Sequence, residues 1–206
     1  MLNFVRIIKM KKCTIGQSGR SMIEMLGVLA IVGVLSVAGI AGYSKAMAKY
    51  KVNKLIDQIS TIAANVRTKF AAQGNYKGLN GHTAYQLGIY PEEMGKDSLY
   101  ENVGFAKSAI GGIEVKVNED ISKEVDPTKS DINYFDIFIY EIPRDACSLI
   151  AGTDWGADFF GFGPYYKLGY YVLKKDLADF GLGKALVDIC SCPATKNDCV
   201  MRLVFG

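Results

Sequence analysis

The chain has 206 residues, half of them apolar and 22% charged, a composition that excludes wholesale disorder. Its 22 glycines and 5 prolines show no G-X-Y period, which excludes a collagen-like chain. A net charge of +3 does not mark a nucleic-acid binder, and a single histidine excludes any site built from several.

Residues 1–19 carry Arg6, Lys9, Lys11 and Lys12 and no acid; the first acid of the chain is Glu24. Met25 to Ser44 is then uncharged for twenty residues. As a helix that run is about 30 Å long, the thickness of a bilayer's hydrocarbon core. It predicts a transmembrane helix. A cleaved secretory signal fits less well, because the small pair Ser18-Gly19 precedes the apolar run and no A-x-A pattern ends it. Arg6, Lys9, Lys11, Lys12 and Arg20 lie before the span, and Lys45, Lys49, Lys51 and Lys54 after it, so charge barely decides orientation. Cysteine placement decides more. Cys13 precedes the span, whereas Cys147, Cys190, Cys192 and Cys199 follow it. An even late set suits an oxidising compartment, which puts the large domain outside the cytoplasm. Glu24 has two readings. One is a charge at headgroup level that favours a helix N-terminus; the other is a carboxylate kept for a partner charge.

The run Gly19-Arg20-Ser21-Met22-Ile23-Glu24, followed by the uncharged stretch, resembles a type IV prepilin. The resemblance implies cleavage after Gly19 by a prepilin peptidase on the cytoplasmic face. It also implies methylation of the new amine of Arg20, and it puts Glu24 at the fifth mature position as an assembly residue. Arg20 departs from the aromatic or methionine usual at the first position. The segment Asn65 to Met94, with Tyr76, Gly78, Leu79, Pro91 and Met94, is similar to the stretch that ends the first helix in type IVb pilins. The 19-residue leader resembles that long-leader subclass too.

Periodicity points the same way independently. Val52, Leu55, Ile56, Ile59, Ile62, Ala63, Val66 and Phe70 fall at steps of three and four, one stripe of a helix. One helix is therefore expected from Met22 to Gln73, stopped by Gly74. Gly27, Gly33, Gly39 and Gly42 in its apolar half would permit close helix packing or let the helix bend. The expected divisions are a leader, 1–19; an apolar transmembrane and filament-core half-helix, 20–44; an amphipathic half-helix, 45–74; and a globular head, 75–206.

In the head, Ile113–Val117 alternates apolar and polar residues, and Asn133–Ile142 is aromatic and β-branched; both read as strands. Pro143 opens a helix that holds Cys147 and ends at Gly152. Tyr165–Leu173 is a third strand candidate, Leu182–Cys190 a short helix, and Val200–Phe205 a closing strand. The fold class is α+β, a long N-terminal helix packed on an antiparallel sheet. The late cysteines pair either as Cys147–Cys190 with Cys192–Cys199 or as Cys147–Cys192 with Cys190–Cys199. The first is favoured because its second bond closes the short loop Pro193–Asp198. A zinc site lacks the C-x2-C spacing.

Nothing supports catalysis, a cofactor or a metal. His82 stands alone in a loop-like stretch, and neither G-x-S-x-G nor a P-loop occurs. Asp154, Asp158 and Glu119-Asp120 read as solvated loop carboxylates without the calcium-loop pattern. Trp155, Phe159, Phe160, Phe162, Tyr165 and Tyr166 read as loop packing, with a subunit contact or adhesive surface as the rival.

The resemblance then implies a structural subunit of a type IVb-like pilus, with the major pilin favoured. Its implied partners are the prepilin peptidase, other pilin subunits, an inner-membrane assembly platform and the membrane before assembly; no nucleic-acid site is evident. Its implied location is the bacterial inner membrane and then an extracellular pilus. The alternatives are a minor pilin or secretion pseudopilin, and a membrane-anchored extracytoplasmic binding protein or enzyme.

Overall fold

The computed structural model describes residues 21–95, 104–117, 133–164, 172–174, 181, 183–184, 187, 190 and 199–206. Helix α1 spans Met22–Phe70, and the chain divides within it into two compact units, the first ending at Lys45 and the second beginning at Ala46.

In the first unit the described residues are helical from Met22 onward, and all are exposed. Every large apolar side chain from Met22 to Tyr43 is at least half exposed. The segment is long and apolar enough to cross a membrane. Its sequence explains the helix without any packing: Ala, Leu, Met and Ile outnumber breakers, and residues 21 to 24 close its start.

In the second unit the predicted stripe is the buried one. Val52, Leu55, Ile59, Ile62, Ala63, Val66 and Phe70 are buried, and Ile56 packs beside them. The helix ends at Phe70, three residues short of the expected Gln73. Residues 71–74 form turns in which the Gly74 N–H donates to Phe70 O at 3.2 Å. Gly74 has φ +71°, which a side chain tolerates poorly. The connection then runs through a short helix α2, Gly81–Gln86, capped by Asn80, whose Oδ1 accepts from Thr83 N at 2.9 Å. His82, expected in a loop, lies on this helix. Asparagine before Gly-His-Thr was the missed cap signal.

The strands are β1 (Ala106–Lys107), β2 (Gly112–Val117), β3 (Phe135–Ile142), β4 (Phe159–Pro164), β5 (Val172–Leu173) and β6 (Cys199–Phe205). Among the described residues they form one antiparallel sheet in the order β1-β2-β3-β6-β4-β5. Helix α3, Arg144–Ala151, follows β3; Pro143 is its N-cap and Gly152 its C-cap. Ile113, Val115, Ile137, Ile139, Met201 and Leu203 share one core with the helix stripe.

β2, β3 and β6 fall within two residues of the strands read from sequence, and the α+β architecture is the expected one. Phe159–Pro164 is the correction: it is strand β4, not loop packing. Its glycines hid it, yet Gly161 is there for a reason. A Cβ at Gly161 would meet the Val172 carbonyl oxygen of β5, so the two strands pair only if it is absent. Within the candidate strand Tyr165–Leu173 only Val172 and Leu173 are described, and they form β5. Within Leu182–Cys190 the described Gly183, Lys184 and Val187 are helical. Gly19, Arg20, Cys13, Glu119, Asp120, Tyr165, Tyr166 and Cys192 lie outside the described residues.

Candidate functional site

At the start of α1 the sequence Ser-Met-Ile-Glu is a capping box. Ser21 N donates to Glu24 Oε2 at 3.1 Å, and Glu24 N donates to Ser21 Oγ at 3.3 Å. Glu24 is thus in the first turn, where the helix dipole favours an anion. From there to Ser44 no side chain is charged. Gly27, Gly33, Gly39 and Gly42 leave open space where a Cβ would stand. Ser36 spends its hydroxyl on Val32 O at 2.7 Å, so even this polar residue makes no demand on its surroundings. The segment can do one thing chemically: offer an apolar helical surface to lipid or to other helices.

In the second unit the helix carries more than apolar residues. Gln58 is 3% exposed and lies within the buried stripe. Its Oε1 accepts from Ala109 N at 3.1 Å, which holds the β1–β2 turn, and its Nε2 donates to Glu93 Oε1 at 3.5 Å. Asn65 Nδ2 donates to Ile89 O at 2.8 Å. Arg67 Nε donates to Gly206 O at 3.3 Å, and its Nη1 lies 3.5 Å from Asp158 Oδ2. Gln58 is not among the apolar residues of the stripe expected from sequence. The available signal was its position, three after Leu55 and four before Ile62.

The segment after the helix bears the residues likened to type IVb pilins. Tyr76 sits edge-on to Phe135 at 4.8 Å, and Leu79 is buried. Leu79 O accepts from Val117 N at 3.0 Å, which joins this segment to β2. Pro91 O accepts from Met94 N at 2.9 Å, closing the turn that buries Met94. Between them Tyr90 is buried. Its hydroxyl donates to Gly104 O at 3.1 Å and accepts from Val115 N at 3.2 Å. Burial pushes the Tyr90 phenol well above its ordinary range.

Cys147 of α3 is bonded to Cys190, with their Cα atoms 5.8 Å apart and a sequence separation of 43. That is the favoured first pair. Cys199, which opens β6, is disulfide-bonded as well, to a partner outside the described residues. The aromatic residues nearby are core rather than surface. Phe205 stacks on Phe135 at 5.6 Å and meets Phe159 at 5.6 Å, while Trp155 stands edge-on to it at 6.2 Å. Trp155 Nε1 donates to Ile150 O at 3.1 Å and so ties down the end of α3. Asp154 and Asp158 each face a cation, Lys174 at 3.9 Å and Arg67 at 3.5 Å.

The other face of β3 and β6 holds a buried ion pair, Asp136 with Arg202 at 3.6 Å, the residues 2% and 7% exposed. Phe138 lies between Lys116 Nζ, 4.2 Å from its ring centre, and Arg202 Cζ, 5.6 Å from it. Among the described residues no nucleophile and base meet here. Among the described residues no three His, Cys, Asp or Glu side chains come together as a metal site would require. His82 is exposed, its Nε2 3.0 Å from Gln86 Nε2. A cleft of about 270 Å³ lies beside Arg67, Phe70 and Tyr76, and its described lining holds no reactive pair.

An exposed apolar helix with an acidic first turn, continued by an amphipathic stretch on a disulfide-tied antiparallel sheet, defines a pilin-type subunit. The family model for bundlin, a type IV pilin-like family, matches residues 45–165, and the chain belongs to that family. No curated protein sequence matches the chain at a significant level. Pilin membership makes this a structural protein that assembles with other pilin subunits into an extracellular pilus, and its apolar N-terminal helix is consistent with membrane anchoring beforehand.

Proposed function

We propose that this chain is the major subunit of a type IVb pilus. A prepilin peptidase removes residues 1–19, and the new amine of Arg20 is methylated. The residues from Arg20 to Ser44 hold the subunit in the inner membrane. An assembly platform draws it out, exchanging lipid contacts for contacts with other α1 helices. Glu24 then pairs with the amine of Arg20 on a neighbour. Two opposite charges in a low-dielectric core attract strongly, and an unpaired one is costly, so the pair sets one axial register. We also propose that Cys192 is the partner of Cys199.

The observation that carries this reading is the exposed first unit of α1. Every one of its large apolar side chains is at least half exposed, and Glu24 stands at its start. The test is amino-terminal sequencing of the protein in sheared filaments and in membranes. The expected start is Arg20, and Gly19→Val should accumulate uncut chain. A start at Met1 or after Ala41 would overturn the reading. Loss of all surface filaments on deleting the gene supports the major subunit; filaments that persist at normal number point to a minor one.

A further inference from the structure

The second unit opens with a group of cations that form no ion pair among the described residues. Lys49, Lys51 and Lys54 follow the uncharged run by five, seven and ten residues, and α1 has no acid between Glu24 and Asp57. Lys49 and Lys51 are exposed and Lys54 is half-buried. Among the described residues none of the three has an ion pair or hydrogen bond. Tyr50 stands among them, 59% exposed. Lysines on the exported side of a span also work against the usual topological bias toward a positive cytoplasmic end. They are present despite that cost.

Lysine and exposed tyrosine just beyond an apolar span match the chemistry of one surface. An ammonium pairs with a lipid phosphate while its stem stays along the apolar boundary, and a tyrosine ring settles at the level of the headgroups. At about 1.5 Å per residue, Lys49 lies about 8 Å along the helix beyond Ser44, within one Debye length of the headgroup layer. We propose that Lys49, Lys51 and Lys54 bind the anionic headgroups of the membrane's outer leaflet while the subunit awaits assembly. The three cations thereby gather anionic lipid around the base of the waiting subunit, and extraction into a filament must release it. The proposal rests on the membrane stage described above.

The experiment places the full-length chain in lipid nanodiscs of mixed phosphatidylcholine and phosphatidylglycerol. Spin-labelled lipids then report which species lies against the protein. The wild type should prefer phosphatidylglycerol by roughly fivefold, about the worth of one fully engaged lysine. The preference should fall towards unity in the triple variant Lys49→Gln, Lys51→Gln, Lys54→Gln, and in the wild type at raised salt. A preference unchanged in the triple variant overturns the proposal. So does an unchanged preference combined with lost filaments, which would make the lysines subunit contacts. A wild-type chain that fails to co-purify with the discs overturns the membrane stage itself. One that inserts without any preference overturns this proposal alone.

Discussion

Ser21 and Glu24 answer each other across the first turn of α1: each backbone N–H donates to the other's side chain, at 3.1 and 3.3 Å. The arrangement uses Glu24 Oε2 and fixes where the carboxylate points. Oε1 takes no bond among the described residues and is available to a cation. A helix-end role and a partner-binding role for Glu24 are therefore compatible.

Glu24→Ala should leave the head folded, with Cys147 and Cys190 still bonded, because Glu24 contributes nothing to its core. Filaments should be few, since a subunit would bring an unpaired amine into the filament core, a loss of about 3–5 kcal/mol for a buried pair. Ser21→Ala removes only half of the cap, about 1 kcal/mol, and should lower filament yield less. Sheared-surface fractions beside total membrane protein measure both. Normal yield from Glu24→Ala at equal protein level would leave Glu24 as a helix cap alone.

Gln58→Leu should destabilise the head by about 1–3 kcal/mol, although it makes the stripe wholly apolar. It strands the Ala109 N–H, which has no other acceptor among the described residues. Thermal unfolding should show a midpoint lower by several degrees. An unchanged midpoint would mean that water replaces Gln58 at the β1–β2 turn.

Cys147→Ala with Cys190→Ala should cost about 4 kcal/mol, the chain-entropy value for a 43-residue loop. The fold should survive in part, because α3 still buries Ala146, Ile150 and Ala151. Unfolding of the oxidised wild type and of the double variant in denaturant gives the difference directly.

Tyr90 makes stability depend on alkaline pH. Its phenol titrates higher folded than unfolded, because burial disfavours the phenolate. The contribution is complete below the unfolded value of about 10 and is lost as pH rises above it, where only the unfolded chain gives up the proton. Tyr76 is shifted in the same direction by burial, against an opposing pull from Arg67. Tyr90→Phe should be less stable at neutral pH, having lost bonds to Gly104 and Val115. Its stability should fall less steeply above pH 10. Parallel slopes for variant and wild type would contradict this account.

Periodic residues were the legible ones. The stripe from Val52 to Phe70 and the alternation of Ile113–Val117 each report a buried face through spacing alone. What escaped lacked such a pattern. Asn80 caps a helix too short to show a period, and β4 is interrupted by glycines that its pairing with β5 requires. Asp136 and Arg202 are charged residues in strands buried on both faces, and their pairing depends on a register between β3 and β6 that no local signal reveals. Cys147–Cys190 was favoured only through the neighbouring loop length. The motif around Glu24 was plain in sequence, but its reciprocal bond with Ser21 was not anticipated.

β6 lies between β3 and β4 although it follows both in the chain. Until residues 199–205 are in place, no other strand among the described residues joins the two halves of the sheet. Each presents an open hydrogen-bonding edge to whatever strand arrives. Export therefore delivers the molecule's keystone late, and a subunit stalled before that moment is a hazard to its neighbours. Such pairing across distant sequence is intrinsically slow, so the interval between emergence and closure is when quality control of the pilus supply has its opportunity.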